Sequence, residues 1–280
     1  MKYAFALLTS LIISGNAFSP SDATALPPDE AAFELAMEFY HDESYKVALD
    51  MFSEFMDDFP ESDLLARADY NRAMLLLYNG RHEEAIPVFK EILVSGYNEH
   101  DETGGIMEQY ALYKHHSATH LALVYLEREE WDSAATYIRM FDEVYPYQHF
   151  CGNELTADAI FTSLCYARLY RGQGQPEKAI KELLPHIFDS GLADHSEVQD
   201  MLIELLDETY TGEEATGIME KAVNSVKVKK NQVQMRLFGE KITLNRYWYI
   251  YDDNGEMDDL SEKDKAIIMI RSNVVFTRYL

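Results

Sequence analysis

Ala36-Met37-Glu38-Phe39-Tyr40-His41-Asp42-Glu43-Ser44-Tyr45-Lys46-Val47-Ala48-Leu49-Asp50-Met51-Phe52 is the stretch on which the reading of the fold turns. Two alanines stand twelve residues apart, an aromatic residue follows the first by three and the second by four, and Asp42-Glu43-Ser44 supplies turn residues between them. Offsets of three and four put side chains on one face of a helix, while twelve residues span one helix end, a tight turn and the next helix start. The segment therefore reads as a helical hairpin in which small residues let two backbones approach closely. The spacing recurs at Ala73/Ala85, Ala122/Ala134 and Ala167/Ala179. Alanine is common, so the flanks decide. Phe39, Leu76, Tyr125 and Tyr170 stand three beyond each first alanine, and Phe52, Phe89, Ile138 and Leu183 four beyond each second. Twelve beyond the second alanine come the helix breakers Pro60, Pro146 and Gly191, with Tyr97 the exception.

This arrangement of small, large, Ala, large and Pro positions resembles the tetratricopeptide repeat, best at Ala36, Phe39, Ala48, Phe52 and Pro60 and again at Ala122, Tyr125, Ala134 and Pro146. The resemblance covers residues 29–226 and extends to a degenerate fifth unit at Ile203, Leu206, Ala215, Met219 and Ala222, though the family's early Trp is absent from every unit. It implies a mostly α fold, a solenoid of four to five helical hairpins wound into a right-handed superhelix. Successive second alanines (Ala48, Ala85, Ala134, Ala179, Ala215) are 37, 49, 45 and 36 residues apart, against about 34 in the uninterrupted family. Two connections are thus enlarged, around residues 95–109 and 147–156, and should emerge as long loops or extended helix starts.

The resemblance further implies a protein or peptide ligand held in a concave groove lined by the first helix of each pair. That projection places Phe33, Met37 and Tyr40 from the first unit, Tyr70, Met74, Leu77 and Tyr78 from the second, His116 and Leu123 from the third, and Phe161, Leu164 and Arg168 from the fourth along the groove. A Tyr and Met stripe at helical spacing is equally the signature of a core buried between hairpins.

Twenty-four Lys and Arg against 49 Asp and Glu leave a net charge of −25. Such a surface repels phosphate backbones and anionic headgroups, which argues against nucleic acid and favours a partner with basic patches. Residues 1–17 read as a cleavable secretory signal: Lys2, an apolar run from Tyr3 to Ile13 broken by Thr9 and Ser10, then small Gly15 and Ala17. The expected location is an exported compartment, periplasmic or extracellular. Residues 18–28, with three prolines, read as a flexible lead-in, and no later segment reaches the roughly 18 apolar residues of a membrane span, so direct membrane insertion is not expected.

After Val226 the period changes. Lys227-Val228-Lys229-Lys230 suits the end of a last helix. Val233, Met235 and Leu237, a Gly239-Glu240 turn, then Ile242 and Leu244 read as a β-hairpin. Tyr247 to Tyr251 reads as a further strand, and residues 274–277 as another after a helix over 261–271. Residues 227–280 should form a small β-containing cap on the last hairpin. Two cysteines exclude a four-thiolate metal site; Cys151 and Cys165 could bridge if the loop after Tyr147 folds back. His116 and His120 have zinc-chelating spacing, but Ser117 stands where a metalloprotease would carry Glu, so they read as groove or surface histidines. The acidic loop 252–259 lacks the ligand spacing of a calcium hand. With no phosphate loop or nucleophile elbow either, the expectation is a non-catalytic binding scaffold without cofactor or metal. The competing reading is an enzyme or sensor module in residues 231–280 to which the repeats recruit substrate.

Overall fold

A computed structural model describes residues 26–100, 110–188, 192–229, 232–245 and 259–280. The expected leader, the Tyr247–Tyr251 strand and nearly all of the acidic loop lie outside the described residues. Ten helices come first: α1 (Pro28–His41), α2 (Tyr45–Asp58), α3 (Leu65–Tyr78), α4 (His82–Val94), α5 (Tyr113–Glu127), α6 (Trp131–Arg139), α7 (Gly152–Gly172), α8 (Pro176–Leu183), α9 (Ser196–Thr209) and α10 (Gly212–Asn224). Strands β1 (Lys227–Lys229), β2 (Gln232–Leu237) and β3 (Glu240–Asn245) follow, then α11 (Glu262–Ser272) and α12 (Val274–Tyr279).

The four hairpins share one turn. Glu43, Gly80, Glu129 and Gly174, each five residues before the second alanine of its pair, adopt left-handed backbone with φ of 58, 70, 57 and 69°. The amides of Ser44, Arg81, Glu130 and Gln175 reach back to the carbonyls of Phe39, Leu76, Tyr125 and Tyr170 at 2.8–2.9 Å, so each first helix ends in the same Schellman closure. The left-handed residue costs little at the two glycines and about 1 kcal/mol at the two glutamates. That cost is offset by what the closure positions: all eight alanines of the four pairs are completely buried. Each of α1 to α8 packs on the helix before and after it, and α3 also meets α5, α5 meets α7 and α7 meets α9. This is the consecutive helix-on-helix packing of a helical repeat.

The enlarged connections resolve differently. The first lies largely outside the described residues; its described ends, 95–100 and 110–112, are not helical and are joined by a bridge between His100 and Tyr110. The second is absorbed mostly by α7, which at 21 residues begins well before its unit needs it. Between them, α6 runs into a π-helical turn, Met140–Val144, whose end aims Tyr145 into the stack. There the Tyr145 hydroxyl donates to the Leu93 carbonyl (3.0 Å) and its own carbonyl meets His115 Nδ1 (2.9 Å).

Two apolar clusters form the core and meet at α7, which gives Cys165 and Leu169 to the first and Ile160, Leu164 and Ala167 to the second. Past α8 the geometry changes. Tyr210 is extended rather than left-handed, and α10 starts from a Thr211–Glu214 capping box. Ile203 occupies the small-residue position, and α12 docks beside it: the Tyr279 hydroxyl reaches the Ile203 carbonyl (3.2 Å) and Asp207 (2.9 Å). A branched side chain there keeps α9 and α10 from the close approach of the other pairs, and α12, packed on both, covers them.

The tail corrects three expectations. Residues 227–229 form a strand rather than the end of α10, which closes at Ser225; Val228 points inward between exposed Lys227 and Lys229. The β2–β3 turn is Phe238-Gly239, both with positive φ (51 and 82°), closing on the Leu237–Glu240 pair. That two-residue mirror-image geometry matches strand twist, and it moves the turn one residue earlier than the alternation suggested. Residues 274–277 are helical because Asn273 caps α12, its side chain accepting from the Val275 amide (3.0 Å). The antiparallel sheet, in order β1-β2-β3, lays Val233, Met235, Leu237, Ile242 and Leu244 into the second cluster, with β2 against α10.

Candidate functional site

Helices α1, α3 and α5 present a strip of rings in two contacting groups. Tyr40 and Met37 lie on one face of α1, one turn apart. Asn71 of α3 donates from Nδ2 to the Met37 sulfur (3.2 Å), while Tyr78 packs at 6.3 Å from Tyr40 and stacks at 5.0 Å on Tyr45, the first residue of α2. Two turns back along α3, Tyr70 lies 5.5 Å from Tyr113 and 6.2 Å from His116, and its hydroxyl meets His120 Nε2 at 3.2 Å. His120 in turn stacks on Phe89 at 5.3 Å. Tyr113 is set by its neighbour: Leu112, buried and left-handed (φ 53°), starts α5 abruptly and swings Tyr113 onto Tyr70.

These side chains are half-buried: solvent reaches them, yet protein crowds them on most sides. Burial, reinforced by the neighbouring imidazoles, holds His116 down at about 3 and His120 at about 4, and burial and adjacent phenols push Tyr40 and Tyr70 up. Between pH 5 and 8 these rings are therefore uncharged. What the strip offers a ligand is π faces, a thioether, phenol hydroxyls and imidazole nitrogens.

The residues expected in the groove divide. Met37, Tyr40, Tyr70, Tyr78 and His116 belong to the strip, and Leu77 and Leu123 lie half-buried against the same cluster. Phe33, Met74 and Leu164 do not face solvent: each is buried, Phe33 edge-on to Phe52 (5.4 Å) and Phe55 (5.6 Å) under the Arg67 guanidinium. They fill the space between helices because the first helix of each unit must seal against its partner with part of the same apolar face. Phe161 tilts against Phe141 (6.0 Å), and Arg168 is half-buried with no hydrogen bond or ion pair among the described residues. No ring contact or hydrogen bond joins Phe161, Leu164 or Arg168 to the tyrosines. His120, which reads from its spacing to His116 as a groove or surface histidine, joins the strip, and Tyr45, Asn71 and Tyr113 are members that the face projection does not include. Tyr113 has no sequence signal, because its placement depends on the Leu112 backbone.

Three tyrosine surfaces elsewhere carry the protein's own lysine. Lys90 lies over Tyr125 (5.6 Å) and Tyr137 (6.0 Å), Lys114 over Tyr145 (5.8 Å) and Lys178 over Tyr170 (5.5 Å). His115 is buried, with Nε2 3.6 Å from the Asp158 carboxylate, whose pKa burial and Asp142 push up to about 6. No group of three or more His, Cys, Asp or Glu is arranged to hold a metal ion among the described residues. Cys151 and Cys165 are free thiols at the start and in the body of one straight helix. Fourteen residues of helical rise separate them by about 21 Å, far beyond the ~7 Å limit for a disulfide, so the fold forbids the bridge. No helix among the described residues is long and apolar enough to cross a membrane. No protein-family model matches the chain, and no curated protein is recovered as a relative.

Proposed function

We propose that this chain is an exported, non-catalytic scaffold that binds a protein or peptide along the groove of a tetratricopeptide-like solenoid. The observation that carries the reading is the ring strip: eight half-buried tyrosine, histidine and methionine side chains from three successive hairpins, backed by the core behind them. Anchored aromatic surface of this kind supplies binding energy at little entropic cost, since its side chains are already ordered. The repeated Schellman turn, identical in four hairpins, supports a curved stack that would present the strip as one wall. The described part of the tail lays an apolar face on α10, as a cap would. Export rests on the character of residues 1–17.

The test is affinity capture with the wild type beside a Tyr40→Ala, Tyr78→Ala variant, both checked for cooperative melting. A partner recovered by the wild type and lost from the variant supports the groove; equal recovery by both removes it. Met74 is unsuitable as a probe, because its burial would turn a charged substitution into a folding defect.

A further inference from the structure

We propose that the tyrosine strip on α1–α3 receives the cationic side chains of a basic peptide segment, each Lys or Arg seated over a phenol face; this rests on the scaffold reading and names its ligand. Three features point to it. First, the protein covers other tyrosine surfaces with its own lysines, at Tyr125/Tyr137, Tyr145 and Tyr170, whereas no Lys or Arg lies over Tyr40, Tyr45, Tyr70 or Tyr78 among the described residues. Second, three nearby arginines are engaged elsewhere: Arg67 over Phe33, Arg72 on the buried Asp69 carboxylate (2.8 Å) and Arg81 on Glu84 (2.6 Å), which leaves the exposed Lys46 as the one basic side chain of the hairpin that carries Tyr40 and Tyr45. Third, the strip is embedded in the most acidic part of the chain. Twelve Asp and Glu face a single Lys between residues 29 and 63, a net charge of −11, and exposed Asp42 and Glu43 flank Tyr40 and Tyr45 directly.

The chemistry is complementary at two ranges. The acidic hairpin draws a basic segment in, which raises the encounter rate. The phenol faces, negative at the ring centre, then hold ammonium or guanidinium groups with the water partly removed. An acidic ligand would meet the same field with the opposite sign, and a purely apolar one would leave the phenol hydroxyls and the acidic margin without use.

Fluorescence anisotropy on the full chain tests this at 150 mM NaCl, where charges beyond roughly 8 Å are screened. The probe is a fluorescein-labelled peptide of Ala-Lys-Ala-Arg repeated three times, compared with peptides carrying Glu or Ser in place of every basic residue. The basic peptide should bind and the other two should not. A Tyr40→Leu, Tyr78→Leu pair, which keeps apolar bulk and removes the faces, should weaken binding about tenfold; a Tyr40→Phe, Tyr78→Phe pair should stay within about threefold, and that retention also shows that the site tolerates substitution. Equal affinity of the Leu pair and the wild type, binding of the acidic or neutral peptide as tight as the basic one, or no binding of the basic peptide each overturns the proposal. The scaffold reading fails separately, when the alanine pair recovers every partner the wild type does.

Discussion

Ala167 and Ala159 lie on the same helix, two turns apart, and the same substitution at each isolates the close approach on which the repeat depends. Ala167 is completely buried against α8, opposite Ala179, whereas Ala159 is exposed. Ala→Leu adds three carbons and changes helix propensity little, and by the same amount at both sites. At Ala167 the added volume has no space to enter, so the α7–α8 hairpin must spread or force Leu off its rotamers. Overpacking of this size costs about 3 kcal/mol, the upper end of the usual range because the neighbouring atoms are helix backbone and core rather than loose side chains. For a chain of this length each kcal/mol shifts the melting temperature by roughly 2–4 °C, so Ala167→Leu should melt about 6–12 °C below the wild type. Ala159→Leu should stay within about 2 °C. Circular dichroism melts at 222 nm read both. Ala167→Leu melting with Ala159→Leu would mean that α7 and α8 are not held at small-residue distance, and the packing described for all four units would lose its basis.

Other outcomes follow from individual groups. Native alkylation should label Cys151 and spare Cys165, which is buried with its thiol pushed up to about 12; intact mass should show one adduct natively, two in denaturant, and no loss of two hydrogens from a disulfide. Acid should destabilise the fold: His116 and His120, lowered to about 3 and 4, bind fewer protons folded than unfolded, so the stability they carry above pH 6.5 is lost as pH falls, while Asp158, raised to about 6, opposes them by taking up a proton in the fold. Burial lowers His115 as well and raises Glu182, and with three histidines against two carboxyls stability should fall from pH 6 to 4; urea midpoints independent of pH across that window would contradict the burial assigned to the histidines. Phe276→Ala should cost about 3–5 kcal/mol, because α12 seats this fully buried ring 5.8 Å from Phe188; a urea midpoint like that of the wild type would show that α12 does not close the second cluster.

The hairpins were legible because the information is local and redundant. An alanine pair, the large residues three and four beyond it and a breaker all report on one close approach, so a lapse at Tyr97 left the second unit readable. The shared turn was half hidden: Gly80 and Gly174 announce left-handed backbone, while Glu43 and Glu129 adopt it against their own preference because the flanking helices impose it. In the tail a short local pattern competes with its context, and context wins. Lys227-Val228-Lys229 is basic enough to end a helix, yet Val228 has an apolar place to fill beside β2, and Asn273 converts a β-branched run into a helix by capping it. The strip was read from face periodicity alone, which cannot separate a side chain that seals a hairpin from one that lines its open side. Phe33 and Tyr70 hold the same position, three before the first alanine, and each meets the ring four beyond its partner alanine, Phe52 and Phe89; they differ because Phe33 is closed over by Phe55 of its own hairpin, whereas Tyr70 goes on to meet the rings of α5.

That contrast also explains why half-buried polar rings concentrate in the first three hairpins. An open face can hold polar aromatic rings only if something other than water orders them, and in α1–α5 the rings order one another in two groups, Tyr40 with Tyr45 and Tyr78, and Tyr70 with Tyr113, His116 and His120. In α7 the position three before the first alanine holds buried Leu164, and charge takes the position four beyond that alanine, where Arg171 stands as Tyr40 does in α1. Arg171 bridges to Glu204 and Glu208 of α9, and Arg278 of α12 pairs with Asp207, so the charges on that stretch are satisfied within the chain. The division between ring-rich and ion-paired stretches thus falls at α7, the same helix at which the two apolar clusters meet.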